Sequence, residues 1–487
     1  MTGGALIAIA LCLPIFAAVT IWFVGNSPNQ RETVTLTTAV ALLVVVLAIL
    51  PLVLAGIPIE LKLLAPIPGL NIAFAVEPLG MLFAGVASFL WIVNSIFSIG
   101  YMRGNKEPRQ TRFYVCFAIA IAATIGLAFA ENLLTLFIFY EVLTLSTYPL
   151  VAHHKNDEAR QAGRTYLGIL LGSSIVLFLP AIIATWVFTD TLSFTPGGIM
   201  TGKVPHILGS ILLFLYLYGI GKAALMPIHR WLPAAMVAPT PVSALLHAVA
   251  VVKAGVFTIV KIVVYIFGLD YLRELAFADI ALYLAGFTII AASIVALRQD
   301  NLKRRLAYST VSQLSYVILA ALILSPLSTM GAALHIAVHA FGKITLFMAA
   351  GAIYTAAHKI NISQLDGIGK RMPWTMGAFA IGALSMIGLP PAGGFLSKWY
   401  MLLGALEAGQ IFALAVIIVS TLLNAAYFLP IVYAAFLKPE TTGAHDHKHG
   451  EAPLPILIAL GITASATVLL FFFPNLALQL AGMLVGR

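Results

Sequence analysis

Apolar runs long enough to cross a bilayer, about 20 residues each, follow one another along this chain with only short breaks between them. About 14 are readable by length and hydropathy, at 4–24, 33–55, 76–98, 112–130, 132–152, 163–187, 205–230, 241–266, 277–297, 304–324, 331–357, 373–403, 409–437 and 453–484. No soluble domain fits between them, and the longest polar gap is the loop "LKPETTGAHDHKHGEAP". A bilayer core offers the backbone no hydrogen-bond partners, so runs of this length read as helices. The expectation is an all-α integral membrane protein. Composition agrees, with 61% hydrophobic and 9% charged residues among 487, where a soluble domain carries roughly a quarter charged. The first run lacks a basic n-region and an A-x-A-like cleavage site, so it reads as a helix and not as a signal peptide.

The net charge of +9 has a one-sided distribution. With the N-terminus placed outside, the inside loops hold Arg31, Arg103, Lys106, Arg109, Arg112, Lys155, Arg160, Arg164, Arg230, Arg298, Lys303, Arg304, Arg305, Lys359, Lys370, Arg371, Lys438 and Lys448, which is eighteen. The outside holds four, Lys62, Lys203, Arg273 and Arg487. This asymmetry follows the positive-inside rule and supports an even helix count in a cell inner or plasma membrane. The basic excess orients the chain and does not mark a nucleic-acid surface. Two distant cysteines, Cys12 and Cys116, with no C-x-x-C spacing, leave no ligand set for an iron–sulfur cluster or structural zinc. No G-x-G-x-x-G or Walker sequence is present, and no nucleophile–base constellation, so no cofactor and no stand-alone enzyme is expected.

Five of the 27 basic residues remain, all within apolar runs: Lys222, Lys253, Lys261, Lys343 and Lys398. Glu141, in "LFIFYEVLTLSTYPLV", is the one carboxylate well inside a run. An ionisable group at the bilayer centre costs about 2.5–3.5 kcal/mol on insertion scales, so each needs a partner or a function. Lys261, near a helix end, either snorkels or pairs; the others lie deeper. A buried ammonium that a neighbouring carboxylate can support or release is the property a proton relay needs. Glu141 is therefore expected as counter-charge to Lys222, with Thr144 and Tyr148 on its face.

Two of the lysine-bearing runs are interrupted. Pro227 follows Lys222 in "GIGKAALMPIHRWLP", and Pro390, Pro391, Gly393 and Gly394 precede Lys398 in "LSMIGLPPAGGFLSKWYML". Broken helices at bilayer depth are tolerated where the loose backbone faces protein or a water-filled cavity, and they mark ion sites in transporters. A plain proline kink is the competing explanation, and two kinks each beside a buried lysine weigh against it. His335, His339 and Lys343 recur every four residues in "ALHIAVHAFGKITLF" and share one helix face. Ser243 and His247 share another, with Lys253 turned about a third of a circle away.

The chain resembles the antiporter-like proteins shared by Mrp-type multisubunit monovalent cation/proton antiporters and the membrane arm of respiratory complex I. The resemblance lies in "YEVLTLSTYPL", "GKAALMPIHRWLPAAMVAPTPVSALLHAVAVVKAG", "DNLKRRLAYSTVSQLSY", "HAFGKITLF" and "GLPPAGGFLSKW". It implies a 14-helix bundle holding two inverted five-helix repeats with broken helices 7 and 12. The division would be 1–110 for helices 1–3, 111–270 and 271–437 for the repeats, and 438–487 for an inside loop and final helix. It also implies that Glu141, Lys222, Lys253, His335, His339, Lys343 and Lys398 occupy the family's proton-relay positions, with His247 beside them. Lys398 and the chain's length make it most similar to the D-type subunit of the Mrp branch.

The expected function is proton translocation along a Glu/Lys/His relay at mid-membrane depth, coupled to Na+ or K+ exchange within an assembly of other membrane subunits. A redox-driven pump of the complex I or membrane-bound hydrogenase kind is the alternative. A scaffold that has lost transport is a third, against which the intact set of Glu141, Lys222, Lys253 and Lys398 speaks. The run His445 to His449 has metal-ligand residue types but reads as a solvated inside linker.

Overall fold

The computed structural model describes residues 3–67, 70–440 and 450–486. It is a helical bundle. The helices are α1 Gly3–Phe23, α2 Pro28–Leu54, α3 Pro78–Gly104, α4 Gln110–Ala128 and α5 Leu133–Val151. They continue as α6 Asp157–Thr189, α7 His206–Gly219, α8 Thr240–Phe267, α9 Ala276–Leu297, α10 Leu302–Leu322 and α11 Pro326–Ala357. The last are α12 Pro373–Ile387, α13 Gly394–Glu407, α14 Ile411–Leu437, α15 Leu454–Phe472 and the short α16 Asn475–Met483. Local chemistry sets several starts. Proline opens α2, α3, α11 and α12, where no intrahelical donor is needed. Asn132, Asn156 and Asn301 cap α5, α6 and α10 by accepting from the backbone three residues on.

Eleven of these helices, among the described residues, are long and apolar enough to cross a membrane: α1–α6, α8, α9, α11, α14 and α15. The other three apolar runs fold differently. Run 205–230 becomes α7 followed by short turns, run 373–403 becomes α12 and α13, and run 304–324 becomes α10, whose Arg, Ser and Gln residues dilute its hydropathy. Both interruptions are real breaks. The helix before Lys222 already stops at Gly219, ahead of Pro227, and Ala224 takes a left-handed backbone with φ +56°. The second break runs from Gly388, φ +88°, to Gly393.

One element departs from the all-α expectation. Between α2 and α3, strands β1 Glu60–Ile67 and β2 Leu70–Ala75 pair antiparallel, with Glu60 opposite Ala75 and Leu61 opposite Phe74. The hairpin is anchored to the α4–α5 turn, where the amide of Ala75 donates to the Phe129 carbonyl at 2.8 Å. It lies at the end of the bundle opposite the basic loops, called below the hairpin face and the basic face.

Burial is uneven, and that decides where a site can be. The spanning windows of α8 and α11 are entirely buried within the protein, whereas those of α1, α2, α6 and α15 are mostly not. Large apolar side chains such as Phe16, Trp22, Ile207 and Trp374 face outward, as expected where the outer solvent is lipid. A helix that is apolar all round belongs in the interior. In α8 and α11 that interior also receives Lys253, Lys261, His335, His339 and Lys343, all essentially unexposed.

Candidate functional site

Lys222 sits in the single turn Gly221–Ala223 just past the end of α7. Its ammonium donates to the Tyr140 carbonyl at 2.8 Å and to Thr144 Oγ1 at 2.5 Å, and it lies 3.1 Å from the centroid of the Tyr140 ring. The Tyr140 hydroxyl in turn accepts from the Lys222 amide at 3.2 Å. Hydrogen bonds to a charged donor contribute about 1.5–3 kcal/mol each, so α5 supplies a neutral seat for the cation. This corrects the expected Glu141–Lys222 contact. Both Glu141 carboxylate oxygens are buried and have no hydrogen-bond partner among the described residues. The cause is rotational. Tyr140 and Thr144 are one helical turn apart and share a stripe, and Glu141 is about 100° round from it.

The stripe on α11 gathers its partners from three other helices. Lys253 Nζ on α8 stands 2.6 Å from His339 Nδ1. The His339 and His335 rings are 5.6 Å apart. His335 Nδ1 is 2.8 Å from Ser397 Oγ on α13, and its Nε2 is 3.0 Å from Gln313 Oε1 on α10. The Gln313 amide donates to the Met386 carbonyl at 3.2 Å, and Lys398 Nζ reaches the same carbonyl at 3.1 Å and that of Ile387 at 2.8 Å. Lys398 thus caps the C-terminus of α12, where unsatisfied carbonyls favour a cation. Lys343 branches off separately, donating to Ser309 Oγ at 2.7 Å and the Leu306 carbonyl at 3.2 Å. Ser309 also accepts from Tyr427, which is hydrogen-bonded to Asn424.

His335 is arranged to hold a proton in either state. Its Nε2 faces a carbonyl oxygen, assigned from the Gln313 amide donating the other way, so Nε2 carries hydrogen. At Nδ1 the Ser397 hydroxyl has a choice, because the Gly394 carbonyl is also within 3.1 Å. With a neutral imidazole the hydroxyl donates to Nδ1. With an imidazolium it accepts from Nδ1–H and donates to Gly394.

Two expected members are placed otherwise. His247 lies in a wide helical turn, Leu245–Val249, against the Phe347 ring at 4.6 Å, and neither of its nitrogens has a protein partner. It is therefore buried beside the hydrogen-bonded set without being bonded into it. Lys261 does not snorkel. It pairs with Glu77 at 3.0 Å and donates to the Ala130 carbonyl at 2.7 Å. Tyr140, Gln313, Ser397, Ser309 and Tyr427 were not singled out from sequence. Gln313 could have been, as an amide in the interior of a spanning run, and Tyr140 and Ser397 each precede a residue that was. Among the described residues no group of three or more His, Cys, Asp or Glu is placed to hold a metal ion. His445 to His449 lie outside the described residues.

Residues 130–424 match the family described as NADH:quinone oxidoreductase/Mrp antiporter, TM, and every candidate relay residue lies within that span. The chain belongs to this family. Within the NADH:quinone oxidoreductase/Mrp antiporter family it is 34% identical over 383 residues to NADH-quinone oxidoreductase subunit N of Desulforudis audaxviator, covering 76% of this chain and 74% of that one. It is 32% identical to subunit L of Mycobacterium tuberculosis, covering 83% and 64%. To a Na(+)/H(+) antiporter subunit of Alkalihalophilus pseudofirmus it is 30% identical, covering 84% and 54%. The chain thus spans about half to three quarters of the length of these relatives. Its fold is also that of a chain in the Mrp complex of a Dietzia species, with a TM-score of 0.88 at 22% identity and coverage of 100% and 97%. A chain of an archaeal membrane-bound sulfane sulfur reductase gives 0.84 at 22% identity, covering 98% and 97%. Members of this family are therefore found both in antiporters and in redox complexes, as multi-pass subunits of larger assemblies.

Proposed function

We propose that this chain is the proton-translocating, D-type subunit of a multisubunit Na+ or K+/H+ antiporter. The single observation that carries the reading is the connected set Lys253–His339–His335–Gln313/Ser397–Lys398, which crosses four elements at full burial and links the helix wholly enclosed at the centre to the second helix break. Lys222 at the first break would load this line, with Glu141 as a nearby unpaired carboxylate whose charge a small rotation of α5 could bring to bear. Lys343 and His247 flank the line as side stations for the proton. In this reading the basic face is cytoplasmic and the N-terminus outside. The two breaks belong to inverted repeats over 111–270 and 271–437 of a fourteen-span bundle, in which α7 with its turns and α12 with α13 each count as one span.

Lysine at position 398 favours the antiporter branch, and the likeness to subunits of redox complexes keeps the second reading alive, in which the same relay is driven by iron–sulfur partners. Two experiments separate them. Lys222→Ala in membrane vesicles is expected to abolish proton-coupled cation transport, and intact transport would overturn the relay. Extraction in mild detergent followed by mass spectrometry is expected to recover small hydrophobic subunits without iron or flavin. Stoichiometric iron–sulfur subunits would instead establish a redox-driven pump.

A further inference from the structure

The relay residues lie deep, and the basic face carries a second set of titratable groups that the relay does not use. The loop between α3 and α4 places Glu107 in the wall of a cavity of about 230 Å³, shared with Tyr101, His154, Thr240, Lys303 and Lys359. Glu107 is only 9% exposed at its side chain. Its Oε2 is 3.8 Å from His154 Nδ1 and 3.9 Å from His153 Nε2. His154 is 35% exposed and reaches water, whereas His153 is fully buried with both ring nitrogens unpartnered. The turn bearing the two histidines is pinned, because Arg109 and Arg112 donate to the His153 carbonyl at 3.1 and 3.0 Å. Lys303, in the first turn of α10, donates to the Ala238 carbonyl at 2.5 Å on the cavity's far side.

The cavity also has an inner end. Thr240, in its wall, is the first residue of α8 and lies 3.4 Å from the Tyr101 hydroxyl. Along α8 follow Ser243 and His247, fully buried, with Ser243 Oγ and both His247 nitrogens unpartnered, and Asn94 Oδ1 beside the start of the helix is likewise unpartnered. Buried polar atoms that lack protein partners are the ones that bind internal water. They line up between the Glu107 cavity and His339, whose Nε2 is also without a partner.

We propose that Glu107, with His153 and His154, is the proton-exchange site of the basic face, passing protons between bulk water and the α8 column Thr240–Ser243–His247. The proposal rests on the relay reading above and adds the door to it. The chemistry is a proton hop. His154 gives its Nδ1 proton to Glu107 Oε2 and regains one from water, and the carboxyl O–H then passes its proton to cavity water; only N–H and O–H bonds change, and every step runs in reverse. The surroundings suit a carboxyl that exchanges near neutrality. Burial raises Glu107 above its ordinary value, and His154 and Lys303 pull it back. Burial, with His154 and Arg112 adding to it, lowers His153 to about 4, so that it faces Glu107 as a neutral acceptor. The other groups facing this site are Tyr101 from α3, Arg109 and Arg112 at the start of α4, and Tyr354 and Lys359 from the end of α11. Glu107 lies outside the span matched to the family, so the site is argued for this chain alone.

The bland reading is a polar cluster that merely ties loops together, and it predicts lost stability with an unchanged pH profile. The test uses the assembled complex in membrane vesicles with the basic face outward, so that its pH can be set directly. Glu107→Gln is expected to assemble, to transport about tenfold more slowly, the equivalent of one pKa unit, and to lose the wild type's inflection with basic-face pH. His154→Gln should flatten the profile less. Wild-type profiles in both variants overturn the proposal while leaving the relay intact, whereas wild-type transport by Lys222→Ala overturns the relay itself. If Glu107→Gln does not assemble, His154→Gln carries the test alone, and its keeping the wild-type profile overturns the proposal.

Discussion

Gly255 on α8 is where the first helix break is pressed hardest against the core. A methyl group there would stand 2.8 Å from the Lys222 carbonyl oxygen, and nearer still to the Lys222 carbonyl carbon and the Ala223 amide nitrogen. Ordinary contact begins at 3.4 Å, so Gly255→Ala must push the Lys222 turn away by at least 3.4 − 2.8 = 0.6 Å. Lys222 makes its two bonds to α5 at 2.8 and 2.5 Å. A shift of that size along them would lengthen them to 3.4 and 3.1 Å, at or past the edge of good hydrogen-bond geometry. Overpacking of this kind costs about 1–3 kcal/mol. Thermal unfolding of the detergent-solubilised complex should show that loss, and vesicle transport should fall by about tenfold, corresponding to roughly 1.4 kcal/mol in the barrier. Gly461→Ala is the control, since nothing lies within 4 Å of a methyl there. A Gly255→Ala protein with wild-type stability and transport would refute the argument that this contact positions Lys222.

The remaining predictions concern the basic face. Glu32, 5% exposed, bonds both Arg103 and the buried Arg31; Glu32→Gln leaves Arg31 without its counter-charge and should destabilise the complex by about 3–5 kcal/mol, read as a lowered unfolding midpoint. His153 is held down to about 4 from an ordinary 6.5 by burial, chiefly, so the unfolded chain takes up a proton there before the folded one does. Its contribution is intact above about pH 6.5 and is lost as pH falls from 6.5 toward 4. His153→Phe should remove that part of the acid-side decline in stability, and an unchanged pH–stability curve would refute the assignment.

Much of the architecture was legible in the sequence because a bilayer makes each helix answer for itself: with no water in the hydrocarbon core, a long apolar run closes its own hydrogen bonds wherever it sits. Hence the spans, the two breaks and the stripe of His335, His339 and Lys343 could be read from runs, prolines and spacing. The hairpin of residues 60–75 could not. Its strands are short, and they are held by pairing with each other and with the α4–α5 turn, which are contacts made across the fold.

The partners of the buried charges were also beyond the sequence. Glu141 and Lys222 are the one carboxylate and the nearest deep lysine, and charge alone pairs them. The structure seats Lys222 on Tyr140 and Thr144, because one residue along α5 is about 100° around it, and because α7 ends before the lysine. Spacing placed His335 and His339 on one face, but only the packing of α10 and α13 against α11 brought Gln313 and Ser397 to them. The sequence determined which ionisable groups are buried and on which helices, since that follows from local hydropathy. The tertiary structure decided which group each one touches, since that depends on the rotation of every helix about its own axis.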